Sequence, residues 1–231
     1  MSTKRISTGI PNLDPLIGGG FKKNSVNLVA GCAGSGKTIF AMQFIMEGLK
    51  KGEAGVYITF EEKKKKFYDD MDGFGWDLEK YEESGKFVFL EYTPEQVKKI
   101  LTEGGGIVEA VIEETDAKRI VIDSITSFAL LYEDELTKKE ASLALFELID
   151  KWNCTGILTS EDESRDDHTI SAALEFEVDG IILLYHVKQK GIRRRAIEIL
   201  KMRGTKIPEK TFALEITNKG IVIDPKKIEP F

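Results

Sequence analysis

Short apolar runs alternate along this chain with longer segments whose apolar residues return every three or four positions. Ser25 to Ala30, Gly55 to Phe60, Phe87 to Leu90, Arg119 to Asp123 and Thr155 to Thr159 read as strands. Between them, Thr38 to about Lys51, Ile107 to Glu114 and Leu136 to Trp152 read as helices. Phe40, Phe44 and Ile45 are the expected buried positions of the first helix. In the last, Ala141, Leu145, Leu148, Ile149 and Trp152 recur at helical spacing. Alternating strands and helices predict an α/β fold: a mostly parallel central sheet with helices on both faces. The C-terminal third changes character. Gly180 to Val187, Arg195 to Met202, Thr211 to Thr217 and Ile221 to Ile223 follow one another with short connections, which predicts antiparallel hairpins extending the sheet. Two long connections remain. Glu91 to Gly106 ends in a Gly104-Gly105-Gly106 turn, and Glu161 to Glu177 is a polar surface loop with a short helix.

No linker rich in Pro, Gly or Ser and no internal repeat divides the 231 residues, so a single domain over 1–231 is expected. Hydrophobic residues are 42% of the chain, ordinary for a soluble globular protein, and no apolar run is long enough to span a bilayer. The N-terminal residues lack the apolar core of a secretory signal, so a cytoplasmic location without a membrane partner is expected. Cys32 and Cys154, far apart in sequence, make neither a disulfide framework nor a zinc site and are read as reduced thiols. The net charge of −6 argues against a dedicated duplex-DNA binder but leaves room for a local basic patch. Gln occurs only at 43, 96 and 189 and charged residues reach 31%, a profile that leans towards a thermophilic source.

The strongest chemical signal is Gly31-Cys32-Ala33-Gly34-Ser35-Gly36-Lys37-Thr38, which fits G-x-x-x-x-G-K-[ST]. Glycines let the backbone turn so that successive N–H groups face phosphate oxygens, and the positive end of the following helix faces the same anion. Lys37 reaches the β- and γ-phosphates, and the Thr38 hydroxyl is a magnesium ligand. An apolar strand before the loop and a helical run after it supply the required setting. Asp123 closes the run Ile120-Val121-Ile122-Asp123; many strands end in Asp and a helix cap is the alternative, but beside such a loop the favoured reading is that it holds magnesium through water. In Thr59-Phe60-Glu61-Glu62, Glu61 or Glu62 would polarise an attacking water; equally, both would suit the first turn of a helix. On a strand, Lys201 and Arg203 of Lys201-Met202-Arg203-Gly204-Thr205 point the same way, which suits a phosphate clamp, but spacing alone favours a solvated edge-strand face.

Taken together and in this order, these segments resemble the KaiC-like branch of the RecA superfamily, which also takes in the RadA-paralogue kind. The opening Thr8-Gly9-Ile10-Pro11-Asn12-Leu13-Asp14, followed by Gly18-Gly19-Gly20, is similar to that family's TGIPxLD…GGG segment. ITFEE at Ile58 to Glu62 is similar to its paired catalytic glutamates, and KMRGT at Lys201 to Thr205 to its late K-x-R-G-[ST] strand. The resemblance runs from Thr8 to about Ile223. It implies a RecA-like P-loop NTPase fold with ATP and Mg2+ held between neighbouring subunits. It further implies Glu61 and Glu62 as water activators, Lys201 and Arg203 as groups acting on the adjoining protomer's γ-phosphate, and Ser160 as a polar γ-phosphate sensor. The chain departs from the family in two respects. The founding circadian protein carries two such domains, whereas this chain has room for one. Lys206-Ile207-Pro208 stands where a His often follows the Gly-Thr. Asp166 to Ser171 distantly echoes the region autophosphorylated in the circadian protein, and no phosphorylation of Thr169 or Ser171 is expected.

The expected function is an oligomeric magnesium-dependent ATPase, a hexameric ring or a filament, in regulation or in DNA recombination and repair. The alternative is a recombinase accessory protein in which ATP gates binding of single-stranded DNA. That role needs cations along a strand-binding loop, and Glu161 to Glu177 is acidic with only Arg165 as a fixed cation. Arg193-Arg194-Arg195 after Gly191 is a compact basic cluster, read as a hairpin tip that contacts DNA, another subunit or only solvent.

Overall fold

The apolar runs do form the strands expected of them. A computed structural model describes residues 4–93, 95–96, 106–129, 131–132, 134–161 and 177–229. In chain order the elements are β1 (Arg5–Ile6), α1 (Leu13–Leu16), β2 (Phe21–Lys22), β3 (Val26–Gly31), α2 (Lys37–Lys50), β4 (Ala54–Thr59), α3 (Lys64–Asp72), α4 (Leu78–Glu83) and β5 (Phe87–Glu91). There follow α5 (Gly106–Thr115), β6 (Ala117–Asp123), α6 (Ile125–Ala129), α7 (Glu135–Lys151), β7 (Thr155–Glu161), β8 (Gly180–Gln189), β9 (Ile192–Met202), β10 (Thr211–Thr217) and β11 (Gly220–Ile228).

One 9-stranded sheet carries the order β11-β10-β9-β8-β3-β7-β6-β4-β5. From β8 through β3, β7, β6 and β4 to β5 every pairing is parallel; β9, β10 and β11 then continue the sheet antiparallel. This is the α/β architecture the pattern predicted. The buried strands feed two cores. Leu28, Val56, Ile58, Ile120 and Leu158 face one side, where Val108 and Ile112 of α5 and Leu145 and Ile149 of α7 cover them. Val29, Tyr57, Val121, Ile157 and Ile182 face the other side, under α2. Phe40, Phe44 and Ile45 of α2 are fully buried, as expected, each contributing about 1.5–3 kcal/mol.

Several elements were not legible in the pattern. Helix α3 buries only Phe67, Tyr68 and Met71, too narrow a stripe within a run of lysines and aspartates to show as a period. The β1–β2 ribbon is two residues a side. Strand β11 continues past the expected end at Ile223 as an exposed edge, and β9 begins at Ile192, ahead of the expected Arg195. The β8–β9 turn is just Lys190-Gly191, between paired Gln189 and Ile192, with φ of 50° and 84°. Both values belong to the tight hairpin turn whose twist matches its strands. Arg193, Arg194 and Arg195 therefore lie on the strand, not at the tip. Apart from its end residues, the loop from Glu161 to Glu177, with Arg165 and Asp166 to Ser171, lies outside the described residues, as do 97–105.

Among the described residues Arg119 is the largest fully buried side chain. Its Nε donates to Glu53 Oε2 at 2.7 Å, and its Nη1 donates to the carbonyls of Ser7 and Phe44 at 2.8 Å each. The guanidinium also lies 4.5 Å from the Phe44 ring centroid. One side chain thus joins the N-terminal segment, α2 and β6. Arg119→Ala leaves two carbonyls without this donor and a cavity beneath α2. It is expected to lower stability by about 2–4 kcal/mol in urea denaturation, at neutral pH.

Candidate active site

Parallel strands bring their carboxyl ends to one rim, where α/β sheets bind ligands. Along the order β3-β7-β6-β4 this rim collects Gly31, Ser160, Asp123 and, just past β4, Glu61 and Glu62. The loop Cys32 to Gly36 leads straight into α2. Gly36 is the N-cap with φ 107°, a backbone conformation that would strain any residue with a side chain, and no side chain caps the helix there. The first-turn N–H groups are left to face the loop, as an anion site requires. Lys37 Nζ donates to the carbonyls of Gly31 at 2.8 Å and Cys32 at 3.2 Å, so the ammonium lies across the loop it serves.

Asp123 stands at the centre of this rim. Its Oδ2 accepts from Thr38 Oγ1 at 2.9 Å and from Tyr57 OH at 2.5 Å; its Oδ1 accepts from Thr159 Oγ1 at 2.5 Å. Helix α2 and strands β4 and β7 each send one hydroxyl to this carboxylate. Burial first, and then the Asp123 charge, holds the Tyr57 hydroxyl far above the ordinary tyrosine range, so it stays a proton donor. Thr38 and Asp123 are hard oxygen donors in hydrogen-bonding contact, the set that suits magnesium held by one or two protein groups and the phosphates. Among the described residues no group of three or more His, Cys, Asp or Glu could hold a metal by itself.

Glu61 and Glu62 follow the turn in which Thr59 Oγ1 accepts their N–H groups at 3.3 and 3.2 Å. Glu61 Oε1 accepts from Ser127 Oγ and, at 3.4 Å, from Ser124 Oγ. Glu62 meets Lys66 one helical turn on, at 3.6 Å and in solvent, where such a pair is worth little. Ser160 Oγ lies 3.2 Å from Thr126 Oγ1, which also accepts the Glu161 N–H at 2.8 Å. Ser160 is therefore at the rim where the resemblance puts it.

Lys201 and Arg203 are not at this rim. Lys201 pairs with Ile181 and Met202 with Gly180, at the amino end of β8, whereas Gly31, the last residue of β3, pairs with Leu184, further along β8. At roughly 3.3 Å per residue, Arg203 is about 17 Å from Gly31 along the strands. It turns instead to Asp179, with its N–H on the Asp179 carbonyl at 2.8 Å and Nη1 3.9 Å from the carboxylate.

The structure adds residues that sequence reasoning missed. Tyr57 and Thr159 were hidden inside apolar runs, where each reads as a strand former. Ser124 and Ser127 follow Asp123 in DSITS, a polar spacing that could have flagged them. Arg195 Nε donates to the Gly34 carbonyl at 2.9 Å, and a side chain on Gly34 would meet His186 Nδ1 at 3.2 Å. Arg194 pairs with the buried Glu229 at 3.0 Å. Cys154 is in the core, where burial pushes its thiol up to about 11, as suits an inert reduced thiol.

Comparisons with known proteins bear on the family and the fold. The family model described as "ATPase: KaiC" matches residues 6–228. Circadian clock protein KaiC3 of Synechocystis is 36% identical over 96% of this chain, which spans only 46% of that protein's length. A UPF0273 protein of Methanopyrus kandleri is 34% identical, covering 99% of this chain and 95% of its own. The crystal structure of a KaiC-like protein of the hyperthermophilic archaeon Pyrococcus horikoshii superposes with a TM-score of 0.86 at 36% identity, over 97% of this chain and all (100%) of that one.

Two outcomes follow from the rim's geometry. Tyr57→Phe removes one donor to a buried carboxylate without changing the ring, and is expected to cost about 1.5–3 kcal/mol in urea denaturation. An unchanged midpoint would show that the hydroxyl adds nothing. His186 is held below its ordinary pKa by burial first, then by the charges of Arg195 and Arg193. The fold favours the neutral ring, so this contribution is complete above about pH 6.5 and is lost as pH falls through the lowered folded value. Thermal melts between pH 7.5 and 5 are expected to fall more steeply for the wild type than for His186→Asn.

Proposed function

This chain belongs to the KaiC ATPase family, and we propose that it acts as a single-domain magnesium-dependent ATPase that hydrolyses ATP where copies of itself meet. Gly31, Cys32, Ala33, Gly34, Ser35 and Gly36 turn their backbone towards the phosphates, and Lys37 leaves its two loop carbonyls for the β- and γ-phosphates. Thr38 and Asp123 would hold the magnesium ion, which when bound offsets charge on the phosphate oxygens. Glu61 and Glu62 orient a water and take its proton. Its oxygen bonds to the γ-phosphorus as the bond to the bridging oxygen breaks, and ADP leaves. The serine bonds to Glu61 fix that carboxylate's direction, and Ser160 meets the γ-phosphate from β7.

The observation that carries the intersubunit reading is the separation of the two halves. The phosphate loop and the carboxylates crown one end of the sheet, while Lys201 and Arg203 stand at the other. From there they serve the nucleotide of the adjoining copy, where added positive charge meets charge developing on the γ-phosphate. Activity then depends on assembly into a closed ring or an open filament. The cytoplasm supplies the ATP. The alternative, ATP-gated binding of single-stranded DNA, draws on Arg193, Arg194 and Arg195; of these, Arg194 is paired with Glu229 and Arg195 with the Gly34 carbonyl.

The test is the steady-state ATPase rate per subunit against protein concentration, with magnesium and ATP saturating. The wild-type rate is expected to rise with concentration. Lys37→Ala, Arg203→Ala and Glu61→Gln/Glu62→Gln are each expected to lose about 10²–10³-fold. Mixing Arg203→Ala with Glu61→Gln/Glu62→Gln is expected to restore part of the rate, because each chain supplies what the other lacks. Full activity of Arg203→Ala alone would sink the intersubunit mechanism and leave a self-contained ATPase.

A further inference from the structure

The segment carrying Arg203 has an anchor far away in sequence. Met202 to Thr205 is a four-residue turn closed by the Thr205 N–H on the Met202 carbonyl at 3.1 Å, with Gly204 at φ 64°. Arg203 is its first corner. Arg5, on β1, reaches this turn: its Nη2 donates to Thr205 Oγ1 at 2.6 Å. Its Nη1 donates to the carbonyls of Ile17 and Gly20, each at 2.8 Å. Gly20 cannot be replaced quietly, since φ is 112° and a side chain there would meet the Ile6 carbonyl at 2.2 Å. The segment from Ile17 to Gly20, before β2, thus brings two carbonyls up to a fork that also grips the Arg203 turn.

All three acceptors are uncharged oxygens, so none neutralises Arg5. Arg119, by contrast, is matched with the Glu53 carboxylate. The Arg5 charge is added to a face that already holds Arg203 and Lys201, with Asp179 loosely opposed to Arg203 at 3.9 Å. We propose that Arg5 is a positioning residue for intersubunit hydrolysis: its fork fixes the Met202–Thr205 turn so that Arg203 and Lys201 project correctly towards the neighbouring copy's nucleotide. A planar fork addressing three fixed oxygens is a task that lysine, a single point donor, does not perform. This inference rests on the intersubunit reading.

Complementation separates the two. Arg5→Ala is expected to reduce kcat about 10–100-fold, the scale for misplacing a catalytic group from a distance. KM for ATP should stay within twofold, because the nucleotide is held by the other chain's Lys37 loop. In mixtures, Arg5→Ala is expected to be restored by Glu61→Gln/Glu62→Gln subunits, which keep the intact turn, and not by Arg203→Ala subunits, which share its defect. Arg5→Lys is expected to show the same pattern with a smaller loss, and decides the matter if Arg5→Ala does not fold; melting temperature and particle size accompany each variant. Full activity of Arg5→Ala, or of a folded Arg5→Lys where the alanine variant fails, overturns the proposal. So does restoration by Arg203→Ala subunits, or restoration by neither. If Arg203→Ala itself is active alone or is not restored by Glu61→Gln/Glu62→Gln, the intersubunit reading has failed instead.

Discussion

The phosphate-loop end of this molecule is organised around one buried carboxylate. Asp123 ends β6 and accepts hydroxyls from α2, β4 and β7 through Thr38, Tyr57 and Thr159. A carboxylate removed from water must be satisfied by hydrogen bonds, and hydroxyls satisfy it without cancelling its charge. That choice of partner matters. A lysine or arginine in the same place would stabilise the fold as well, but would leave less negative charge for a metal ion beside Lys37. Three elements are thereby drawn to one point, and the phosphate loop, which continues directly into Thr38, takes its position from the same carboxylate.

Much of the frame was legible in the sequence because parallel strands buried on both faces are apolar along their length. Helix α2, β6 and α7 came within a residue or two of their predicted bounds. The phosphate loop was legible for another reason: its backbone must turn with glycine and its helix must begin at a fixed place. What escaped was polar chemistry inside apolar runs. Tyr57 and Thr159 are ordinary strand residues in one dimension, and only the order β3-β7-β6-β4 turns their hydroxyls into neighbours of Asp123. Arg5 is harder still to find, since its partner Thr205 is 200 residues away in sequence. The arginine cluster was misplaced because a two-residue turn needs fewer residues than a polar stretch suggests.

The two ends of the sheet carry different groups. The carboxyl end holds Asp123, Glu61, Glu62 and Glu161 together with Lys37 and Arg195 around the phosphate loop; the amino end of β8 presents Lys201 and Arg203 beside Asp179, with Arg5 and Lys22 on the adjoining ribbon. In one chain these ends cannot meet, because a stiff sheet lies between them. Antiparallel β9 is the cause. It returns the chain to the amino end of β8, so a residue late in the sequence lies far from the loop that β3 delivers.

A contact between unlike ends of identical subunits is heterologous, and such a contact repeats until it closes or runs on. On the proposed reading the attraction is local: Lys201 and Arg203 meet the neighbour's γ-phosphate, at a rim that holds Lys37 and Arg195 as well as its carboxylates. Bound ATP would then supply the negative charge that these cations meet. The face best suited to receive the next subunit's cations is then the one already loaded with substrate. On this account nucleotide binding promotes the contact that completes the site, and hydrolysis, by removing the γ-phosphate, weakens the contact that produced it.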